Sequence, residues 1–467
     1  VWTSELNRLE EVRAGFNRSK PVRFYDTTLR DGEQAVGVVF DPDEKFEIAR
    51  ALTDLGVGRI EAGFPRVSEA DSRAVKRILE AGLASEIWGF SRAVRDDLDA
   101  LIELGIRQTL IEISTSEVKM AAYGFNRGIV LKRVAESVRH AVENGMRVLF
   151  FPVDSTRTDL GFLEEVYARA IECGASEVAV VDTIGACAPE AAEHLVRKVR
   201  GWVGRAMPLH FHGHNDFGLG TALAIAAVRG GADWIQGTIN GIGERAGNSD
   251  ICEVALALSC LYDVPIELNL AQARRVSALV QKAADYRVDS WRPVVGDNLF
   301  TRESGAVANQ FHIPEAIEPY SADLVSAPRR IVLGKKSGLV SIKLKVEELG
   351  LNVPEDRFPG LLAEVKKQAT AAGRLMSDEE FSQLVQRRAE NLARFADQRR
   401  PVHGAAGVGK STGHADAHGI GAAEQRIGVF ARRRMTLHQH LALEGIAGLL
   451  GDGDEFLRDR ADRTRIR

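Results

Sequence analysis

From about Val22 to Gly241 the chain repeats one rhythm of apolar and polar positions: a short β-rich apolar run, a turn, then a longer segment with helical periodicity. The runs are Val22–Thr28, Arg59–Phe64, Glu86–Ser91, Gln108–Ser114, Arg147–Val153, Glu177–Thr183, Leu209–His214 and Trp234–Asn240. Between them, stretches such as Asp43–Gly56, Glu69–Gly82, Val130–Gly145, Leu160–Gly174 and Pro189–Gly204 show helical spacing and close on glycine, as a C-cap does. Eight β/α units in roughly 230 residues predict a (β/α)8 TIM barrel. A doubly wound sheet usually has fewer strands and a glycine-rich phosphate turn after the first.

The same reading divides the chain into an N-terminal helical extension over 1–20, a barrel over 21–270, a lid or linker over 271–340, a helical region over 341–398 and a tail over 399–467. Residues 250 to 285 read as helical, and 286 to 340 as an irregular Pro/Gly-containing stretch of the kind that is either functional or disordered. The tail turns to Gly, Ala, Arg and His, holds five of the 11 histidines, and is a candidate for disorder. Gly404–Ser411 satisfies GxxxxGK[ST], but RRPVH precedes it where a buried strand should lie and TGHADAHGIG follows where a helix should begin. It reads as an accident of composition.

The 467 residues carry 61 Lys+Arg against 65 Asp+Glu, a formal charge of -4 that gives no electrostatic reason to expect nucleic acid or an anionic membrane. No apolar run reaches the roughly 18 residues of a membrane span. The first twenty residues mix acids with bases and lack an apolar core, so they predict neither a secretory signal nor a transit peptide. Cys173, Cys187, Cys252 and Cys260 show no CxxC spacing and read as free, mostly buried thiols in a reducing compartment. A cytoplasmic protein is expected.

Residues able to do chemistry sit at the downstream ends of the runs: Arg30 and Asp31 after the first, Asp154 and Arg157 after the fifth, Thr183 after the sixth, His212 and His214 on the seventh, Asn240 and Glu244 after the eighth. In a barrel those ends converge on the face where active sites are found. Residues two apart on a strand face the same side, so His212 and His214 aim two imidazoles at one point. Asp31, beside strand eight once the barrel closes, is the third ligand of choice. Two imidazoles and a carboxylate suit manganese, zinc, iron or cobalt, and magnesium less well. Arg30 cannot act as a base. It is placed either to stabilise an oxygen that becomes anionic or to form a rim ion pair with Glu33 or Glu61. The run Asn240–Asn248 has GxGxxxG after the last strand rather than GxGxxG opening a βαβ unit, which argues against a dinucleotide site.

Taken together, Asp26-Thr27-Thr28-Leu29-Arg30-Asp31-Gly32-Glu33-Gln34, Glu61-Ala62-Gly63-Phe64-Pro65, His212-Gly213-His214-Asn215-Asp216 and the NGIGERAGN run Asn240–Asn248 resemble the homocitrate synthase and 2-isopropylmalate synthase family. These are acetyl-CoA-dependent condensing enzymes on a metal-containing TIM barrel. The resemblance runs from about residue 20 to residue 340. It implies a divalent metal (Mg, Mn, Zn or Co) on Asp31, His212 and His214, with Asn248 close to that sphere. It implies that Arg30 and Glu61 are catalytic, and that Arg30, Gln34, Asp154 and Thr183 bind a 2-oxo acid that acetyl-CoA attacks. A homodimer with exchanged lids is implied as well.

The chain departs from the family in places that carry protons. Val307, in Ser304–Gln310, stands where the family's lid histidine should be, and His312, five residues on, is the candidate substitute. The family's Glu-Asp is here Val153-Asp154, its TYEP is Ala316–Pro319, and its GKHSG is Gly334–Gly338 with Lys336 for His. The stretch Arg147–Pro152 lacks the Arg and Ser pattern that holds the distal carboxylate of 2-oxoglutarate, so that substrate is not favoured. Two competing readings follow: a metal-dependent lyase or aldolase on the same barrel, and a non-catalytic metal-binding relative.

Overall fold

The structure, a computed structural model, describes residues 1–398. Strands β1 (Arg23–Asp26), β2 (Arg59–Glu61), β3 (Glu86–Arg92), β4 (Gln108–Ser114), β5 (Arg147–Val153), β6 (Glu177–Asp182), β7 (Leu209–Gly213) and β8 (Trp234–Gly237) pair in parallel in chain order and close into a barrel. Closure sets Arg23 opposite Trp234 and Asp26 opposite Gly237. The expected barrel is therefore the observed one, with helices such as Pro42–Leu55, Arg127–Glu143 and Pro189–Val203 returning the chain outside it.

Local chemistry sets the helix ends. At Pro42–Leu55 the Asp41 carboxylate accepts from the N–H groups of Asp43 and Glu44, and Glu44 reaches back to the N–H of Asp41. Such a cap contributes about 1 kcal/mol. Gly56 ends the helix at φ 89°, where a β-carbon would be strained.

Alternation along the strands builds two cores. On β5, Val148 and Phe150 pack outward against the helices, while Leu149 and Phe151 point into the barrel. The inner layer is completed by Tyr25, Trp88, Phe90, Leu110, Ala179, Val181 and Trp234. Near the upstream ends of the strands the interior turns polar. The Arg59 guanidinium lies over Trp88 at 4.6 Å and over Trp234 at 3.9 Å, and donates to both oxygens of Glu177 at 2.5 and 3.0 Å. His210 Nε2 completes the group at 2.7 Å from Glu177. Burial lowers the pKa of His210, so its ring is neutral. Burial also opposes ionisation of Glu177, but His210 and Arg59 outweigh it and bring that carboxyl down to about 2.

The ends of the chain are less regular than the periodicity suggests. Residues 1–20 hold only two single-turn helices, Glu5–Arg8 and Glu10–Arg13. Past the barrel, helices Ile251–Tyr262 and Ala273–Ala283 lead into the loop-rich stretch, which contains a small parallel sheet of Thr301–Arg302 and Arg330–Ile331. Helices Leu339–Glu348, Phe358–Ala372 and Asp378–Gln398 follow, with a core that includes Leu333, Ile342, Leu361, Val365 and Phe381. The tail over 399–467, with its GxxxxGKS run, lies outside the described residues. Among the described residues no helix is long and apolar enough to cross a membrane.

Candidate active site

The turn after β1 is fixed before it does anything chemical. Thr27 donates its N–H to Gly237 on β8 at 2.9 Å, and its carbonyl accepts from the N–H groups of Arg30, Asp31 and Gly32 at 3.1, 2.8 and 3.1 Å. The Asp26 carboxyl accepts from the amide and hydroxyl of Thr28, whose Oγ1 in turn accepts from Ile239 N at 2.9 Å. Arg30 and Asp31 are thereby held at the mouth beside the ends of β7 and β8.

His210 and His212 on β7, and His214 just beyond its end, all point inward. The deepest is taken by Glu177, and the other two meet Asp31. His212 Nε2 is 3.3 Å and His214 Nε2 3.7 Å from Asp31 Oδ2, and the two imidazole nitrogens are 3.3 Å apart. A point equidistant from those three atoms lies about 2.0 Å from each, the bond length of a divalent cation to nitrogen or oxygen. His214 Nδ1 donates to the Gly247 carbonyl at 3.1 Å, which leaves the Nε2 lone pair facing that point. Burial pushes His214 down to about 4, against the pull of Asp31. Burial opposes ionisation of Asp31 too, but Arg30 and the two imidazoles outweigh it and hold the carboxyl well below the usual range. A neutral His214 imidazole and an ionised Asp31 carboxylate are protonation states suited to metal ligation.

Asp31 Oδ1, His212 Nδ1, Asn248 Oδ1, Glu61 Oε1 and Arg30 Nη2 are buried here without any hydrogen-bond partner. An unmet buried polar atom costs about 1–3 kcal/mol, so five around one mouth point to a group that belongs there. The donor set fits a divalent metal. Asn248 is held beside it by Nδ2 donating to the Ile242 carbonyl at 3.3 Å, and only glycine fits opposite. A β-carbon on Gly243 would overlap Asn248 Nδ2 and lie 3.4 Å from Asp31 Oδ1.

Of the two ion pairs expected of Arg30, the one with Glu61 is formed. Its Nε donates to Glu61 Oε2 at 2.8 Å, its Nη1 lies 3.2 Å from Asp31 Oδ2, and its guanidinium rests over the Phe90 ring at 4.6 Å. Burial raises the pKa of Glu61, with Arg30 opposing. Glu33 is no partner of Arg30: it accepts from Lys45 Nζ at 2.6 Å and from Phe40 N at 2.9 Å.

The remaining candidates separate. The Thr183 hydroxyl accepts from Asp154 N at 2.8 Å, which leaves its own hydrogen free to donate. Gln34 is exposed on the turn Gly32–Gln34. Asp154, in the left-handed region at φ 69°, is fully buried, with its oxygens taken by Ser116 and Arg157. It shapes the loop after β5. His312 is exposed beyond the short helix Gly305–Ala308, which contains Val307, and no hydrogen bond or ion pair ties it to a site residue. Two residues went unmarked in the sequence. Arg245 bridges three strand ends, donating to Asp216 at 2.9 Å and to the Thr183 carbonyl at 2.7 Å. Glu112 on β4 carries an inward carboxyl.

Comparison with known proteins agrees with this geometry. The family model described as HMGL-like matches residues 21–280, and the chain belongs to that family. It is 37% identical to the homocitrate synthase AksA of Methanothermobacter thermautotrophicus, over 79% of this chain and 96% of that protein. It is 39% identical to the 2-isopropylmalate synthase of Saccharolobus solfataricus, over 77% of this chain and 94% of that one. Among solved structures, the HMG-CoA lyase of Bacillus subtilis shares the fold with a TM-score of 0.53 at 18% identity, covering 58% of this chain and 96% of that one.

Proposed function

We propose that this protein is an acyltransferase that joins acetyl-CoA to a 2-oxo acid and hydrolyses the resulting thioester, giving a 2-substituted malate-type acid. The observation that carries the reading is one guanidinium, fixed by Glu61 and with Nη2 still unpartnered, beside a three-atom ligand set for a divalent metal. The similarity to named homocitrate and 2-isopropylmalate synthases over three quarters or more of the chain supports the same chemistry.

When bound by Asp31, His212 and His214, a divalent cation (Mn, Zn, Co or Mg) supplies Lewis-acid polarisation of a carbonyl. The chain's own residues do the rest. Glu61 holds Arg30 so that Nη2 can stabilise the ketone oxygen as it gains charge. Thr183 donates its free hydroxyl hydrogen to the substrate carboxylate, and Gln34 lines the approach from the same turn as Arg30. Asn248 supports the ligand set from the side. The methyl carbon of the acetyl group, once deprotonated, attacks the ketone carbon, and water then cleaves the thioester to release free CoA. A homodimer that exchanges lids fits the same family pattern.

The test is free-thiol release from acetyl-CoA across a chemically diverse panel of 2-oxo acids with manganese, including phosphonate- and phosphinate-bearing ones. Release with at least one of them, dependent on metal, is expected. Silence across the panel combined with metal-dependent cleavage of a 2-hydroxy or 4-hydroxy acid would instead establish a lyase.

A further inference from the structure

A reaction that begins by removing a methyl proton needs a base. Neither Val153 at the mouth nor Val307 in the lid can be one, and Arg30 is permanently charged. Most acidic residues around the mouth already have partners for their oxygens. Asp31 and Glu61 are paired with Arg30, Asp154 with Arg157, Asp216 and Glu244 with Arg245, and Asp250 with Arg292. Asp182 is bound by Thr156 and two backbone amides. Among the acidic residues on the eight barrel strands, Glu112 alone has a carboxyl with no hydrogen bond and no ion pair, and it is half-buried.

Its position follows from strand register. Leu110 on β4 faces the barrel interior, so Glu112, two residues on, faces the same way one layer nearer the mouth. Leu110 is paired with Phe90, whose ring carries Arg30 at 4.6 Å. Glu112 is paired with Phe151, whose ring meets the edge of His212 at 5.3 Å. Glu112 thus sits on the strand between β3 and β5, opposite Arg92 on one side and Phe151 on the other, two residues beyond the Leu110–Phe90 pair. The charged groups facing it are Arg92, opposite it on β3 and itself bound to Asp97, and Arg30, Glu61, Asp31 and Lys119. Burial, with Arg30 opposing, raises its carboxyl to about 7, where it can both take and return a proton near neutrality.

Building on the condensing reaction proposed above, we infer that Glu112 is the catalytic base that accepts a proton from the acetyl methyl group. The C–H bond breaks and an O–H bond forms on Glu112. The C–H electron pair becomes the enolate, which makes the new carbon-carbon bond, and the ketone π pair moves onto the oxygen beside Arg30. The proton on Glu112 then passes to that oxygen, restoring the carboxylate. No redox partner is needed. The sequence gives no motif for this residue, because a lone glutamate in QTLIEIS looks like an ordinary strand position.

The experiment compares wild type, Glu112→Gln and Glu112→Asp for thiol release and for manganese binding by calorimetry. Solvent deuterium uptake into the acetyl methyl, with the 2-oxo acid present, is read alongside. The inference predicts that Glu112→Gln lowers kcat by roughly 10²- to 10⁴-fold. KM for the 2-oxo acid and manganese affinity should stay unchanged, methyl exchange should be lost, and Glu112→Asp should recover part of the rate. Turnover and exchange at the wild-type level in Glu112→Gln, or a raised KM with kcat intact, would overturn the base while leaving the condensing reaction standing. A wild-type enzyme that releases no thiol with any 2-oxo acid would overturn both.

Discussion

Arg30 and Glu61 form a buried ion pair, Nε to Oε2 at 2.8 Å, in which each partner keeps one polar atom unmet: Nη2 on the arginine and Oε1 on the glutamate. A purely structural pair would satisfy itself, since unmet buried atoms are costly. The pair is better described as a guanidinium aimed by a carboxylate, with the aimed end left for a ligand. Arg30→Ala is expected to lower turnover by roughly 10²- to 10³-fold, the effect of losing one oxyanion stabiliser. Glu61→Gln should lower it less. A rate within tenfold of wild type in the Arg30 variant would remove Arg30 from the chemistry.

The ligand set makes its own prediction, read as binding rather than turnover. Manganese or zinc at 100 times its Kd should stabilise the wild-type protein by about 2.7 kcal/mol in thermal unfolding. His212→Ala and Asp31→Ala should lose that stabilisation, and chelation should abolish activity that added metal restores. Equal metal-induced stabilisation in His212→Ala would place the ion elsewhere.

At Gly243 the Asn248 amide occupies the space where a side chain would begin, with Asp31 Oδ1 at contact distance beside it. Gly243→Ala should displace Asn248 and weaken metal binding roughly 10-fold, as loss of a supporting contact does. Metal titration of the purified variant checks it, with circular dichroism confirming an intact fold.

The polar group deep in the barrel predicts a pH dependence of stability. Glu177 is ionised in the folded protein down to about pH 2 but only down to its ordinary 4.5 when unfolded. Its contribution is therefore complete above pH 4.5 and is lost as pH falls from there toward 2. His210, whose folded pKa lies below 6.5, also costs stability as pH falls below that value, since the unfolded chain takes up the proton first. Glu177→Gln should destabilise by about 3 kcal/mol at pH 7, because it removes the more buried of the two countercharges of Arg59 and leaves only Glu86, 3.0 Å from its Nε. The gap from wild type should shrink below pH 4.5 in denaturant titrations. A gap that stays constant to pH 3 would show that Glu177 is not held ionised.

Much of this was legible from the chain alone, and the reasons are physical. Eight apolar runs alternating with helical segments define a barrel, and a barrel brings strand ends together, so Arg30, Asp31, His212 and His214 could be grouped although nearly two hundred residues separate them. Period-two alternation made His212 and His214 a pair. It could not tell that His210, on the same face, turns to Glu177, because depth in the barrel is set by register between strands. Asp154 is expected to bind substrate, and in the fold its oxygens are engaged by Ser116 and Arg157. Glu112 lay in a strand without a motif, and only its lack of a partner in three dimensions singles it out.

The most direct test of the account is where the acetyl carbon goes. Enzyme, manganese, methyl-carbon-13 acetyl-CoA and a panel of 2-oxo acids are incubated, and the label is followed by nuclear magnetic resonance. The account predicts that, with the true substrate, the label appears as the methylene of a carboxymethyl group on a tertiary or secondary alcohol, in step with free CoA. Label that remains acetyl-CoA or ends only as acetate with every 2-oxo acid would contradict it.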